Sequence, residues 1–302
     1  MRGEMKKAMI FSIVFVLFLS VFSMLYAEND LKNDDLSGKV KSMKKVIYQG
    51  AKEEIKCYPF ISVYNSQGKK IEGKELNNKG EIIRHWLYKY DETGNRTGLT
   101  LVDSNEYIVL QMIYKYNPQN KMIEKINRDA SGNILEKWVY KYNAQGHKTK
   151  AIRYDVLNSE NFRFSYKYDD KGNSVEAKRI RPSGLLEKRT VYHYDGEFHL
   201  TGLEIFNTDG VIRWKETFVY DSKGKKTEWI GYSKGVTPIW KYSYKYDERG
   251  NVVKQRKYNY TSKSETVKRM KYEYDDEGNW IKKTEYVDNK QESVGVREIN
   301  YY

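Results

Sequence analysis

Aromatic and bulky apolar residues recur at every second position in short segments throughout the chain. In one such segment Trp138, Tyr140 and Tyr142 alternate with Val139 and Lys141. Successive side chains of a β-strand point to opposite faces, so a period of two places the three aromatic rings on one face. The pattern therefore predicts β-strands that each carry an aromatic face.

The predicted strands end in a tyrosine that returns every 26 residues. This spacing holds from Tyr64 to Tyr246 and then widens to 28, which leads to Tyr274 and Tyr302. A fixed period of about 20 to 50 residues is typical of arrays of supersecondary units that are too small to fold alone. The chain is therefore predicted to be a repeat protein. Its repeat tyrosines are Tyr64, Tyr90, Tyr116, Tyr142, Tyr168, Tyr194, Tyr220, Tyr246 and Tyr274.

Each repeat tyrosine is followed by a turn signal. Asp or Asn comes next in all nine repeats, and glycine stands three residues later in seven of them, as in Asp169 and Gly172. Asp or Asn caps a type I turn, and the glycine supplies the left-handed residue that completes a bulged hairpin loop. A β-branched residue seven positions after every repeat tyrosine predicts a return strand. A second turn is marked by Gly80, Gly132, Gly184 and Gly210.

These hairpins predict an all-β fold over residues 40–302. Consecutive hairpins are expected to join into an extended antiparallel meander of about 19 strands, in a twisted open or spirally curled sheet. The unit of the meander is the 26-residue β-hairpin.

The segment before the repeats predicts export. Arg2, Lys6 and Lys7 precede an apolar run over residues 8–27, which is typical of a secretory signal peptide with cleavage after Ala27. Leu25 is larger than signal peptidase prefers, and the run is long enough to serve as an uncleaved anchor, so both outcomes stay open. The polar, acidic residues 28–39 are predicted to form a flexible linker.

The repeat units resemble a known family. The segments YKYDETGN at Tyr88, YKYDDKGN at Tyr166, YKYDERGN at Tyr244 and YEYDDEGN at Tyr272 are similar to the YD repeats of the rearrangement-hotspot (Rhs) and teneurin superfamily. The resemblance implies a repeat β-sheet that winds into a shell or forms part of a cell-surface adhesive protein. This chain has neither the long array nor the aspartyl self-cleavage region before a toxin domain, so a short exported form that displays a sheet surface is expected.

The composition argues against an enzyme. One cysteine excludes an intramolecular disulfide framework, and four histidines leave little material for a conventional active site. The aspartates recur once per repeat, as turn residues do, whereas a catalytic pair would break the symmetry. His193 and His199 flank one aberrant turn and are expected to belong to a degenerate repeat, with a metal site as the alternative. We expect no catalytic residue, no cofactor and no metal.

The two faces of the predicted sheet provide the candidate binding residues. The formal net charge is +13, and removing residues 1–27, with three basic residues and one acidic residue, leaves +11. This excess favours an anionic glycan, a cell-envelope polymer or another envelope protein as partner, whereas nucleic acid fits poorly with export. The candidate cationic stripe is Lys89, Lys115, Lys141, Lys167 and Lys245. The candidate aromatic face is Trp86, Tyr88, Tyr114, Trp138, Tyr140 and Tyr166. A merely solvated outer face and ordinary sheet packing are the alternative interpretations of these two sets.

The sequence favours a non-catalytic exported protein that is periplasmic, cell-surface or secreted. Its sheet would serve as a binding or scaffolding surface at the bacterial cell envelope. One alternative is a glycan-binding module that uses the aromatic face. Another is an outer-membrane β-barrel, but return strands such as residues 253–257 are too polar for a lipid-facing band, so no membrane span is expected apart from the signal segment.

Overall fold

A computed structural model describes residues 30–50 and 54–302, with side chains described for 30–50 and 58–302. The predicted signal peptide lies outside the described residues. One helical turn, α1 (Asp30–Asn33), precedes twenty strands. None of the described helices is long and apolar enough to cross a membrane. The strands are β1 (Val40–Gln49), β2 (Glu54–Tyr64), β3 (Lys70–Leu76), β4 (Ile82–Tyr90), β5 (Arg96–Asp103), β6 (Ile108–Tyr116), β7 (Met122–Asp129), β8 (Ile134–Tyr142), β9 (Lys148–Tyr154), β10 (Glu160–Tyr168), β11 (Ser174–Ile180), β12 (Leu186–Tyr194), β13 (Leu200–Phe206), β14 (Ile212–Tyr220), β15 (Lys226–Ser233), β16 (Thr237–Tyr246), β17 (Val252–Asn259), β18 (Ser264–Tyr274), β19 (Trp280–Val287) and β20 (Lys290–Tyr301).

The sheet is a closed antiparallel barrel. Every strand pairs with its sequence neighbours, and β1 also pairs with β20, from Val40 opposite Tyr301 to Gln49 opposite Ser293. The predicted antiparallel meander is confirmed, but the predicted open or spirally curled sheet is wrong, and the strands number 20. An open meander would leave β1 and β20 as long edges with unpaired backbone groups, and closure removes both edges.

The repeat turns have the predicted bulged geometry. The Gly172 amide donates to the Asp169 carbonyl (3.0 Å), and the Asp169 amide donates to the Asn173 carbonyl (3.0 Å). The Asp169 carboxylate accepts from the Lys171 and Asn173 amides at 3.0 and 2.8 Å, so it caps the turn. Gly172 has a φ of +86°, in the left-handed region.

Two contacts recur between neighbouring repeats. The Tyr168 hydroxyl donates to the Lys148 carbonyl at 2.8 Å, twenty residues earlier. His147 stacks on the Tyr168 ring with centroids 4.7 Å apart, and a Cβ on Gly172 would lie 3.0 Å from His147 Nε2. The turn at Gly172 is therefore fitted against the preceding repeat. The same hydroxyl-to-carbonyl bond is made by Tyr90, Tyr116, Tyr142, Tyr194, Tyr220 and Tyr246.

The described part of the acidic segment, residues 30–39, is packed rather than forming the expected flexible linker. Asp30 contacts Arg96 on β5, while Asp35 accepts from the Trp280 indole on β19 at 2.8 Å. Strands β5 and β19 lie on opposite sides of the β1–β2 pair. A segment of six residues is long enough to connect them only if it crosses the inside of the curved sheet. The segment therefore lies inside the barrel mouth, on the face that carries the repeat tyrosines. Its apolar residues join the buried cluster of Leu31, Leu36, Val40, Met43 and Tyr64.

Candidate binding site in the barrel lumen

The structure places the predicted aromatic face on the inner wall and the predicted lysine stripe on the outer wall. The six aromatic residues lie on β4, β6, β8 and β10, all half-buried. The stripe residues are exposed, with 60% of the Lys115 side chain and 71% of the Lys167 side chain accessible. Whether either set binds a ligand stays a prediction.

A cluster of three tryptophans and a tyrosine forms one part of the inner wall. The ring centroids of Trp229 and Trp240 are 4.7 Å apart, and Tyr242 lies 5.6 Å from Trp229 and 5.2 Å from Trp240. Trp214 joins the cluster at 6.1 Å from Trp240. A Cβ on Gly231 would lie 2.4 Å from the Trp240 ring and 2.9 Å from the Trp214 ring, so glycine is what lets both indoles lie over this strand.

A single carboxylate orients two of these indoles. Glu216 accepts hydrogen bonds from Trp214 Nε1 at 2.8 Å and from Trp229 Nε1 at 2.9 Å. Buried indoles need such a partner, and satisfying both fixes the planes of the rings. The rings therefore present a pre-organised aromatic surface. Sequence reasoning missed Glu216, although its position two residues from Trp214 on one strand face is a usable signal.

A second aromatic group repeats this arrangement on β8 and β10. Glu136 accepts from Trp138 Nε1 at 2.8 Å and from Arg153 Nε at 2.6 Å. The Trp138 ring lies 5.7 Å from Phe162 and 6.4 Å from Phe164. An acidic residue two positions from a tryptophan thus fixes an indole in two separate parts of the wall.

Lysine ammonium groups lie over the inner aromatic rings. Lys148 Nζ is 5.6 Å from the Tyr140 centroid and 5.0 Å from that of Tyr166, and burial lowers the pKa of Lys148. Lys226 Nζ lies 4.4 Å from the Phe218 centroid; burial lowers its pKa despite the opposing effect of Glu216. The wall therefore combines flat apolar rings with positive charge, which suits ligands that carry both apolar faces and anionic groups.

The N-terminal segment forms the mouth of the lumen. Asp30 accepts from the Tyr90 hydroxyl at 2.7 Å and pairs with buried Arg96 at 3.1 Å. The Tyr64 hydroxyl donates to Asp34, and burial together with the charge of Asp34 raises the pKa of Tyr64. Sequence reasoning missed these acidic residues because their polar context is typical of a linker.

A cavity of about 380 Å³ is lined in part by this segment. Such a volume is within the range of small-molecule sites. Ser62 Oγ, on its wall, is buried and has no hydrogen-bond partner among the described residues. The cavity is lined by Asn33, Asp34, Asp35, Met43, Lys45, Ile47, Tyr58, Phe60, Ser62 and Arg297.

On the outer wall the predicted stripe is unevenly neutralised. Lys115 Nζ lies 2.6 Å from Glu124, and Lys167 Nζ lies 3.6 Å from Glu176. Burial raises the pKa of Glu176, but the hydrogen bonds from Arg189 and Lys178 and the charge of Lys167 outweigh it and hold that pKa below its usual value. The stripe is therefore not a uniform cationic surface.

The histidines of the aberrant turn have separate partners. His193 Nε2 lies 3.7 Å from Glu204, whereas His199 Nδ1 lies 3.1 Å from Asp195. Among the side chains described, those of residues 30–50 and 58–302, no group of three or more His, Cys, Asp or Glu is arranged to hold a metal ion.

Comparisons with known proteins found distant structural neighbours. No family model and no curated protein matches the sequence. A porin-like protein from Bacteroides uniformis has 10% sequence identity and a TM-score of 0.40, with 86% of this chain and 98% of that chain covered. A porin-like protein from Bacteroides vulgatus has 12% identity and a TM-score of 0.31, with 88% and 99% covered. A chain of the Photorhabdus luminescens Tc holotoxin pore has 12% identity and a TM-score of 0.33, and the match covers 78% of this chain but 14% of that one.

Proposed function

We propose that this protein is a non-catalytic, exported binding barrel of the bacterial cell envelope, and that its lumen binds a glycan. The observation that supports this most is the cluster of Trp214, Trp229, Trp240 and Tyr242, with two indoles held by one carboxylate. The apolar faces of sugar rings stack on flat aromatic side chains, and rings fixed in advance lose little entropy on binding. Lys148 and Lys226 beside such rings favour an acidic sugar.

An outer-membrane barrel is the second candidate, and closure of the sheet is the observation that favours it. In this respect the structure fits that alternative better than an open display surface. The outer wall weighs against lipid, because Arg189, Lys215 and Lys241 lie near the middle of β12, β14 and β16 and face outward. An Arg or Lys on the lipid face costs about 2 to 4 kcal/mol at the bilayer midplane. We therefore propose a barrel that stands in water.

Glycan binding is tested with the chain from residue 28 onward, which retains α1 and all twenty strands. Binding to an array of neutral and acidic glycans is measured first, and hits are titrated by tryptophan fluorescence. Tyr242→Leu removes a ring of the cluster, while Tyr232→Leu removes a ring from the outer face of the neighbouring strand as a matched control. We expect at least tenfold weaker binding for Tyr242→Leu alone.

Two results would oppose the proposal. Equal losses from both variants would mean that the lumen cluster does not carry binding. A chain that stays monodisperse only in detergent would favour the outer-membrane alternative.

A further inference from the structure

The outer wall contains one row of residues that breaks the charge pattern of the repeats. Each row begins at the residue that precedes a repeat tyrosine. Its middle position is the residue paired with that one on the next strand, and its third position is the residue paired with the middle one on the strand after. In most repeats this row holds at most one basic residue, as in Lys115, Glu124 and Val139. On β16, β17 and β18 it holds Lys245, Lys254 and Arg269.

The described strands contain nine equivalent rows. The middle position is Glu72, Gly98, Glu124, Lys150, Glu176, Gly202, Glu228, Lys254 and Lys282. The third position is Leu87, Ile113, Val139, Ser165, Val191, Thr217, Ser243, Arg269 and Val296. Arg269 is the only charged residue at the third position, so among these nine rows only this one places three cations side by side.

The row is accessible to solvent. Lys245 and Arg269 are exposed, and among the described residues neither Lys245 nor Lys254 has a carboxylate within 4.0 Å. Arg256 adds a fourth cation and lies 3.8 Å from Glu265. The charge of Arg256, then partial burial and the charges of Arg269 and Lys245, lower the pKa of Lys254 despite the opposing charge of Glu265.

Like charges placed directly opposite each other on adjacent strands are destabilising. Lys254 stands at a position where six of the nine rows have a glutamate or a glycine. Arg269 Nη1 donates to Asn289 Oδ1 at 2.6 Å and Arg256 lies 3.8 Å from Glu265, whereas neither lysine forms an ion pair with a described carboxylate. A ligand can supply the charge compensation that Lys245 and Lys254 do not receive within the fold.

We propose that Lys245, Lys254, Arg256 and Arg269 form an oxyanion-binding site on the outer wall, specific for phosphate or sulfate groups. The four side chains come from three adjacent strands and lie on the same face of the sheet. Arginine provides paired N–H donors for oxyanions, and lysine provides point charges. This site is separate from the lumen, so oxyanion binding can be tested independently of glycan binding.

The test uses the full-length protein with pyrophosphate and with dextran sulfate, at ionic strength held constant with sodium chloride. Lys254→Glu restores the residue that the repeats with Glu124, Glu176 and Glu228 have at this position, so the fold should tolerate it. Lys150→Glu makes the same charge change in the equivalent position of another repeat and serves as the matched control. We expect at least tenfold weaker binding for Lys254→Glu and less than a threefold change for Lys150→Glu. Without ligand, Lys254→Glu should also raise the thermal midpoint.

Three results would overturn the proposal. These are no binding of either probe by the unmodified chain beyond the chloride control, equal losses from the two substitutions, and unchanged binding by Lys254→Glu. If Lys254→Glu does not fold, Lys254→Gln is tested against Lys150→Gln with the same expectations. Tighter binding of dextran sulfate than of pyrophosphate would identify a polymer as the source of the oxyanion, and the reverse order would identify a free ion.

Discussion

Replacing Gly172 with valine tests the fit between neighbouring repeats. Gly172 has a φ of +86°, and a left-handed backbone costs an L-residue about 1 to 2 kcal/mol. A Cβ there would also lie 3.0 Å from His147 Nε2, so His147 must leave its position over Tyr168. Losing a stacked ring contact costs about 0.5 to 1.5 kcal/mol. Together these effects predict a loss of about 1.5 to 3.5 kcal/mol in the free energy of unfolding.

Two further substitutions separate the backbone effect from the contact. Gly132 has a φ of +84°, but nothing lies within 4 Å of the added Cβ, so Gly132→Val should cost only the backbone term, about 1 to 2 kcal/mol. Asn120 occupies the position equivalent to Gly172 at a φ of +57° and already carries a Cβ, so Asn120→Val should cost the least.

Urea unfolding followed by circular dichroism measures all three variants. The predicted order of destabilisation is Gly172→Val, then Gly132→Val, then Asn120→Val. If Gly172→Val costs no more than Gly132→Val, the turns are not fitted against their neighbours, and the contact between repeats plays no part in stability.

Three further predictions concern the repeat, its hydrogen bonds and its tyrosines. Deleting residues 140–165 removes one unit and should leave a folded barrel of 18 strands. Deleting only 13 residues would leave an odd number of strands, which prevents antiparallel closure. Equal loss of structure in the two deletions, measured by circular dichroism, would contradict the 26-residue repeat. Tyr168→Phe should lower the free energy of unfolding by about 1 kcal/mol, because the bond to the Lys148 carbonyl is lost, while Tyr107→Phe at an exposed position should change it little. Burial raises the pKa of Tyr166, Tyr244 and Tyr272 to about 12, so their stabilising contribution is complete below pH 10 and is lost as the pH rises through 12. Tyrosinate absorbance should therefore rise together with alkaline unfolding, and titration near pH 10 in a folded barrel would count against this packing.

Local features of the fold could be predicted from the sequence because each depends on neighbouring residues. Alternation placed Trp138 and Tyr140 on one face and Lys141 on the other, and the Asp169 to Gly172 turn followed from residue type alone. Asn120 could also be recognised as a turn residue without glycine. These signals repeat nine times, so single exceptions did not obscure them.

Closure could not be predicted, because a periodic sequence contains no marker for the pairing of its two ends. The β1–β20 register depends on the accumulated twist and tilt of eighteen intervening strands. The role of Asp30 and Asp35 was hidden for a related reason, since their partners Arg96 and Trp280 are far away in sequence. Which face of the sheet is the inner one follows from closure, so the lumen could not be identified as the candidate site either.

Closure of the barrel is tested most directly by a disulfide between its first and last strands. Val46 on β1 stands directly opposite Val296 on β20, and opposed residues have Cβ atoms about 4.5 to 5.5 Å apart, close enough for a disulfide after small shifts. In a Cys57→Ser background, Val46→Cys with Val296→Cys should form an intramolecular disulfide in the monomer, identified by mass spectrometry of its peptides. Val46→Cys with Val191→Cys, on distant β12, should stay reduced under the same oxidant. Failure of the first pair to cross-link within one chain, while the protein remains folded, would contradict the closed barrel.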